Sequence, residues 1–143
     1  MKNAQNAFFV YGSLMHGYFN HEKAFQGQQI CRVPAKTRGT LFSQTSKGYP
    51  AMTQGNEWVY GELITPQDFS KSLALCDKIE NYFGPDGDNE YDRILVTVEG
   101  LKGQTLCQAY AYLYARQDLG TPDNPVVALP DGDWNAYMQG IKR

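Results

Sequence analysis

Apolar and polar residues follow one another along this chain in runs that predict five or six strands, one principal helix and two shorter ones. The run Phe8-Phe9-Val10-Tyr11 breaks abruptly into Gly12-Ser13-Leu14, the pattern of a buried strand opening into a tight turn. Asn20 is placed to cap a short helix through Phe25. Residues 28–43 read as extended, with Gly39 at a bulge or close crossing. Gly48-Tyr49-Pro50-Ala51-Met52 reads as loop, since proline fixes the local backbone, and Trp58 to Ile64 as the next strand. Residues 91–98 alternate, with Ile94, Val96 and Val98 on one face. A hairpin turn follows at 99–103, then a second alternating strand from Leu106 to Tyr114. The tail is rich in Pro, Gly and Asp and ends in a short helix from Trp134 to Ile141.

The clearest helical pattern spans about residues 66–83. Thr65 is a capping residue, Pro66 suits the first helical position, Asp68 favours the positive end, and Gly84-Pro85 stops the helix. With Cys76 at zero on a wheel of about 100° per residue, Phe69, Leu73, Ile79 and Phe83 fall within roughly 60° of it, one apolar stripe. Glu80 falls at about +40° on the same wheel, inside the stripe. Strands that do not alternate with helices predict an α+β fold: a small, mostly antiparallel β-barrel with one principal flanking helix, formed by residues 1–143 as a single domain.

Composition narrows the class without naming it. A chain of 143 residues with 42% hydrophobic and 20% charged residues can bury a core without disulfides or metal. Net charge of -2 gives no electrostatic case for nucleic acid or an anionic membrane. Ten tyrosines and seven phenylalanines suggest β structure with an aromatic interior. Cys31, Cys76 and Cys107 form no C-x-x-C pair and read as small core hydrophobes, not as a disulfide framework or zinc site. His16 and His21 read as loop or surface residues. The polar start, Met1 to Asn6, is not a signal peptide, and no apolar run reaches membrane-spanning length, so a cytoplasmic protein is expected.

Two features carry candidate chemistry. Successive N–H groups in the Gly12-Ser13-Leu14 turn can form a nest for an anion or an oxyanion, because glycine lets the backbone approach a ligand closely. A carboxylate on the apolar helix face loses hydration, which raises its pKa and suits it to acid–base work near neutral pH. The alternative for Glu80 is that it reaches outward to solvent or pairs with Arg38 or Arg93. No Cys/His or Ser/His pair is recognisable, which argues against a covalent nucleophile.

Tyr11-Gly12-Ser13-Leu14-Met15, Gly48-Tyr49-Pro50-Ala51, Gly61-Glu62-Leu63, Asp77-Lys78-Ile79-Glu80 and Tyr91-Asp92-Arg93 stand in the order found in the γ-glutamylcyclotransferase-like family. The chain resembles its small bacterial, AIG2-like and γ-glutamylamine cyclotransferase branch. The resemblance implies a small barrel with a cavity at one end, and Glu80 as the acid/base. It further implies that Tyr11, Gly12, Ser13, Leu14, Pro50 and Tyr91 contact a small γ-glutamyl substrate. The reaction so implied releases 5-oxoproline and a free amine with no metal or cofactor. A non-catalytic barrel that binds a small ligand is the alternative, and no feature specifies an oligomeric state. The chain departs from the family at Cys76, where leucine is common, at Asn81, where glycine usually follows the glutamate, and in a long 83–90 segment.

Overall fold

The computed structural model describes residues 4–141, so Met1 to Asn3, part of the start read as lacking a signal peptide, lie outside the described residues. Strand β1 (Ala4–Val10) is buried on both faces from Ala7 to Val10, which explains the unbroken apolar run there. Phe8 stacks on Phe69 at 5.1 Å between ring centres and meets Phe25 at 6.0 Å. These partners belong to α2 (Phe69–Ile79) and α1 (Phe19–Phe25). Phe9, on the opposite face, stacks on Tyr11.

Strands β2 (Ile30–Gln44) and β3 (Tyr49–Pro66) form one long antiparallel hairpin, bulged at Gly39 as its sequence suggests. Strands β4 (Tyr91–Gly100) and β5 (Thr105–Tyr114) form the second hairpin. The sheet runs β3-β1-β5-β4-β2, and the β2–β3 pairing closes it into a five-stranded barrel. A short β6 (Val126–Ala128) adds to the far end of β2, against Phe42 to Gln44. All pairings are antiparallel except β1 with β5. Helix α3 (Trp134–Ile141) closes the chain. No helix among the described residues is long and apolar enough to cross a membrane.

Several local expectations are corrected. Residues 49–52 are strand, not loop, because they pair with Leu41 to Gln44. Thr65 and Pro66 remain in β3, paired with Cys31 and Ile30, so the helix starts later than its sequence suggests. Its N-cap is Asp68, whose side chain accepts from the Lys71 N–H at 3.2 Å. Asp68→Ala should therefore cost about 1 kcal/mol in chemical denaturation, while Thr65→Ala, which removes no cap, should not lower helix stability. The helix also ends earlier, at Ile79, which leaves Phe83 outside the apolar stripe and 69% exposed. Asn20 lies within α1, whose N-cap position is Tyr18. Cys31 is exposed at the start of β2, contrary to its reading as a core residue, whereas Cys76 and Cys107 are buried as expected.

Candidate functional site

Beyond β1 the chain turns at once, and the Met15 N–H donates to the Gly12 carbonyl at 2.9 Å. Glycine is required at position 12 because a Cβ there would stand 2.6 Å from Pro50 Cγ. Its absence lets the turn lie flat against the start of β3. Among the described residues, no acceptor takes the N–H groups of Gly12, Ser13 or Leu14. Helix α1 braces this turn from behind. Asn20 Nδ2 donates to Ser13 Oγ at 2.8 Å, and His21 Nδ1 lies 2.9 Å from the Leu14 carbonyl. A carbonyl only accepts, so Nδ1 carries the proton. His21 is buried, contrary to its reading as a loop or surface residue, because its ring packs against Phe25.

Glu80 caps the C-terminus of α2 and lines the same cleft as the turn. The chain leaves the helix through a Schellman motif: Tyr82 N–H bonds the Asp77 carbonyl and Asn81 N–H the Lys78 carbonyl. Asn81 sits at φ 54°, a left-handed conformation that glycine adopts freely and that asparagine tolerates better than most residues. Its departure from the family's glycine is thus conservative in backbone terms.

The carboxyl group of Glu80 has no hydrogen-bond partner among the described residues. Its residue is only partly exposed, and that exposure opens on the cleft. Burial raises its pKa first and the charge of Glu90 second, to about 8. Neither arginine neutralises it. Arg93 pairs with Asp77, while Arg38 donates to the Asn56 carbonyl and stacks on Trp58 at 3.7 Å.

The cleft is small and open on one side: about 340 Å³ of empty space lies within it, part of that open solvent. Tyr11, Gly12, Ser13, Leu14, Pro50, Glu80 and Tyr91, drawn from the turn after β1, from β3 and β4 and from the end of α2, all line it. Two tyrosine hydroxyls are committed to backbone. Tyr11 Oη donates to the Tyr112 carbonyl at 2.6 Å, and Tyr91 Oη to the Pro50 carbonyl at 2.7 Å. Gln44 Nε2 donates to Tyr91 Oη at 2.9 Å. These two rings therefore shape the walls and fix the Pro50 peptide, and their protons are not free for a ligand. Phe9, Tyr49 and Tyr112 also line the cleft. Sequence reading did not single them out, because strand alternation assigns a face but not what lies across from it. Among the described residues no group of three or more His, Cys, Asp or Glu side chains could hold a metal ion.

A carboxyl group and peptide N–H groups without a protein acceptor thus line one small aromatic cleft. Residues 8–136 match the family model described as gamma-glutamyl cyclotransferase, AIG2-like, and the chain belongs to that family. Solved structures share the fold. An uncharacterized protein, PH0828 from Pyrococcus horikoshii, is 13% identical, with 95% of each chain covered and a TM-score of 0.66. YkqA from Bacillus subtilis is 22% identical at a TM-score of 0.63, and the alignment spans 95% of this chain but 42% of that one. An AIG2-like protein from Mus musculus is 23% identical over 76% of each chain, with a TM-score of 0.59. No curated protein matches the sequence.

Proposed function

We propose that this protein is a γ-glutamyl cyclotransferase that closes the γ-glutamyl group of an amide onto its own α-amine, releasing 5-oxoproline and a free amine. One observation carries the reading: a Glu80 carboxyl with no partner shares a cleft with the unoccupied N–H groups of Gly12, Ser13 and Leu14. Such a substrate carries its own nucleophile, so the protein need only fold it and handle protons. Orientation alone contributes up to about 7–11 kcal/mol in favourable intramolecular cases.

Glu80 as carboxylate takes a proton from the α-ammonium, and the freed amine forms a bond to the γ-carbonyl carbon. The carbonyl electron pair moves onto oxygen, where turn N–H groups stabilise it. When the pair returns, the bond to the leaving nitrogen breaks and Glu80 gives that nitrogen its proton. The lactam nitrogen keeps one of three ammonium protons. Of the other two, Glu80 passes the first to the leaving nitrogen as the bond breaks, then takes the second from the ring nitrogen and hands it to the released amine, so Glu80 is again a carboxylate.

The test is a panel of γ-glutamyl amides and amines assayed for 5-oxoproline. Release from at least one, with stoichiometric free amine, is expected. Binding without release by any member of the panel would leave the non-catalytic ligand-binding barrel as the better reading.

A further inference from the structure

Glu90 lies just before β4, outside the lining of the cleft, and its side chain is 10% exposed. It accepts three hydrogen bonds, from Tyr49 Oη at 2.7 Å, Asn81 Nδ2 at 3.0 Å and Lys47 Nζ at 3.3 Å. Its backbone adds two more, its N–H to the Asn81 carbonyl at 3.1 Å and its carbonyl from the Ala115 N–H at 2.8 Å. Tyr49 is a wall of the cleft, and Asn81 is the residue that turns the chain directly after Glu80. We propose that Glu90 is a positioning residue that clamps the Tyr49 wall to the helix end bearing Glu80 and maintains a fixed negative charge beside that carboxyl group.

The proposal rests on the cyclotransferase reading for its kinetic consequence, but not for its electrostatic one. A buried carboxylate is tolerated only when its lone pairs are met. Glu90 has three donors, which hold it ionised, whereas Glu80 has none. Two carboxyl groups in one site whose surroundings differ in this way are driven apart in proton affinity, one toward permanent charge and the other toward exchange. The groups facing Glu80 are Tyr11 from the turn after β1, Tyr49 from β3, Tyr91 from β4, Tyr112 from β5, and Cys76 and Asp77 on its own helix. Burial raises the tyrosines and the thiol, so they stay neutral in the working range. Asp77 is neutralised by Arg93. Facing Glu90 are Lys47, Tyr49, Tyr91 and Tyr114, with Asp118 behind Tyr114. Glu90 is thus the remaining charged influence on Glu80, offset only in part because Lys47 is shared between Glu90 and Tyr114.

The test follows the Glu80 side-chain carboxyl by carbon NMR across pH, assigned by its loss in Glu80→Gln, in the parent, Glu90→Gln and Lys47→Met. The 5-oxoproline rate is measured in parallel. Glu90→Gln is expected to move the Glu80 midpoint down from about 8 and to lower the plateau kcat. Lys47→Met, which removes the cation offsetting Glu90, is expected to move it up. No movement in Glu90→Gln overturns the proposal. So does a fall in both variants, which would mark a loosened cleft admitting water. If Glu90→Gln does not fold, Lys47→Met decides alone: a higher midpoint supports the proposal, and an equal or lower one overturns it. A parent with no 5-oxoproline release would defeat the cyclotransferase reading while the NMR midpoints still judged Glu90.

Discussion

Glu80→Gln should fold, bind a γ-glutamyl ligand and release 5-oxoproline about 10²–10⁴ times more slowly than the parent, the range typical for removal of a general acid–base group. The amide keeps the size of the carboxyl group but can neither take the ammonium proton nor return it. In the parent, kcat/KM should rise with pH toward a plateau above about 8, where free Glu80 becomes a carboxylate. The kcat profile should bend at lower pH, because a bound ammonium beside Glu80 favours its charged form. Turnover by the Gln variant within a few-fold of the parent would remove Glu80 from the proton chemistry.

Stability supplies an independent check on the same residue. Glu80 titrates near 8 when folded against 4.5 in an unperturbed chain. Below 4.5 both states hold the proton and there is no penalty. Between these values the folded state binds more protons than the unfolded state, so Glu80's contribution falls as pH rises; above about 8 the loss is complete. The loss is on the order of a few kcal/mol, reduced by the residue's partial access to water. Glu90 has the opposite sign: its folded pKa is lowered, so its contribution is present above the unfolded value and lost as pH falls. Urea titrations of Glu80→Gln should therefore lack the decline between pH 4.5 and 8 expected of the parent. They should show a more stable protein at the alkaline end.

Gly12→Val is the second large effect. Even its first carbon would stand 2.6 Å from Pro50 Cγ and 2.8 Å from Pro50 Cδ, a ring with little freedom to yield. Either the turn or the start of β3 must shift, at a cost of about 1–3 kcal/mol typical of overpacking. The larger consequence is functional. On the proposed reaction the turn's N–H groups would be displaced from the substrate oxygen, and a displacement of about 1 Å can cost on the order of 10²-fold. Calorimetry with 5-oxoproline should show affinity lost while circular dichroism shows a folded protein. Parent-like affinity would count decisively against the turn as the anion site.

Much of this architecture was legible because local patterns and local physics agree. Alternation over residues 91–98 and 106–114 with glycines between them specifies a hairpin whatever the rest of the chain does, and Gly39 marked the bulge of the β2–β3 hairpin. Glu80 was visible because a single charge inside an apolar helical stripe contradicts its surroundings. The family pattern around Tyr11 to Leu14 then supplied the other half of the site. The helix boundaries were not legible. Thr65-Pro66 carries strong capping chemistry, yet pairing with Ile30 and Cys31 outweighs that propensity and keeps both residues in the sheet.

Closure alone decided the remainder. Whether Glu80 meets Arg93 or open cleft depends on Arg93 being taken by Asp77, a pairing between α2 and β4 that sequence spacing does not encode. Tyr49, Tyr112 and Glu90 joined the site because the barrel brings β3, β5 and the segment before β4 around one helix end. His21 became a buried brace because α1 folds back beneath the turn it follows. The sequence by itself determined which groups are candidates for the chemistry, since side-chain type and local pattern are properties of short stretches. Tertiary structure decided which of them are partnered, because hydrogen bonds and desolvation depend on residues distant in the chain, and partnership is what separates Glu90, with three donors, from Glu80, which has none.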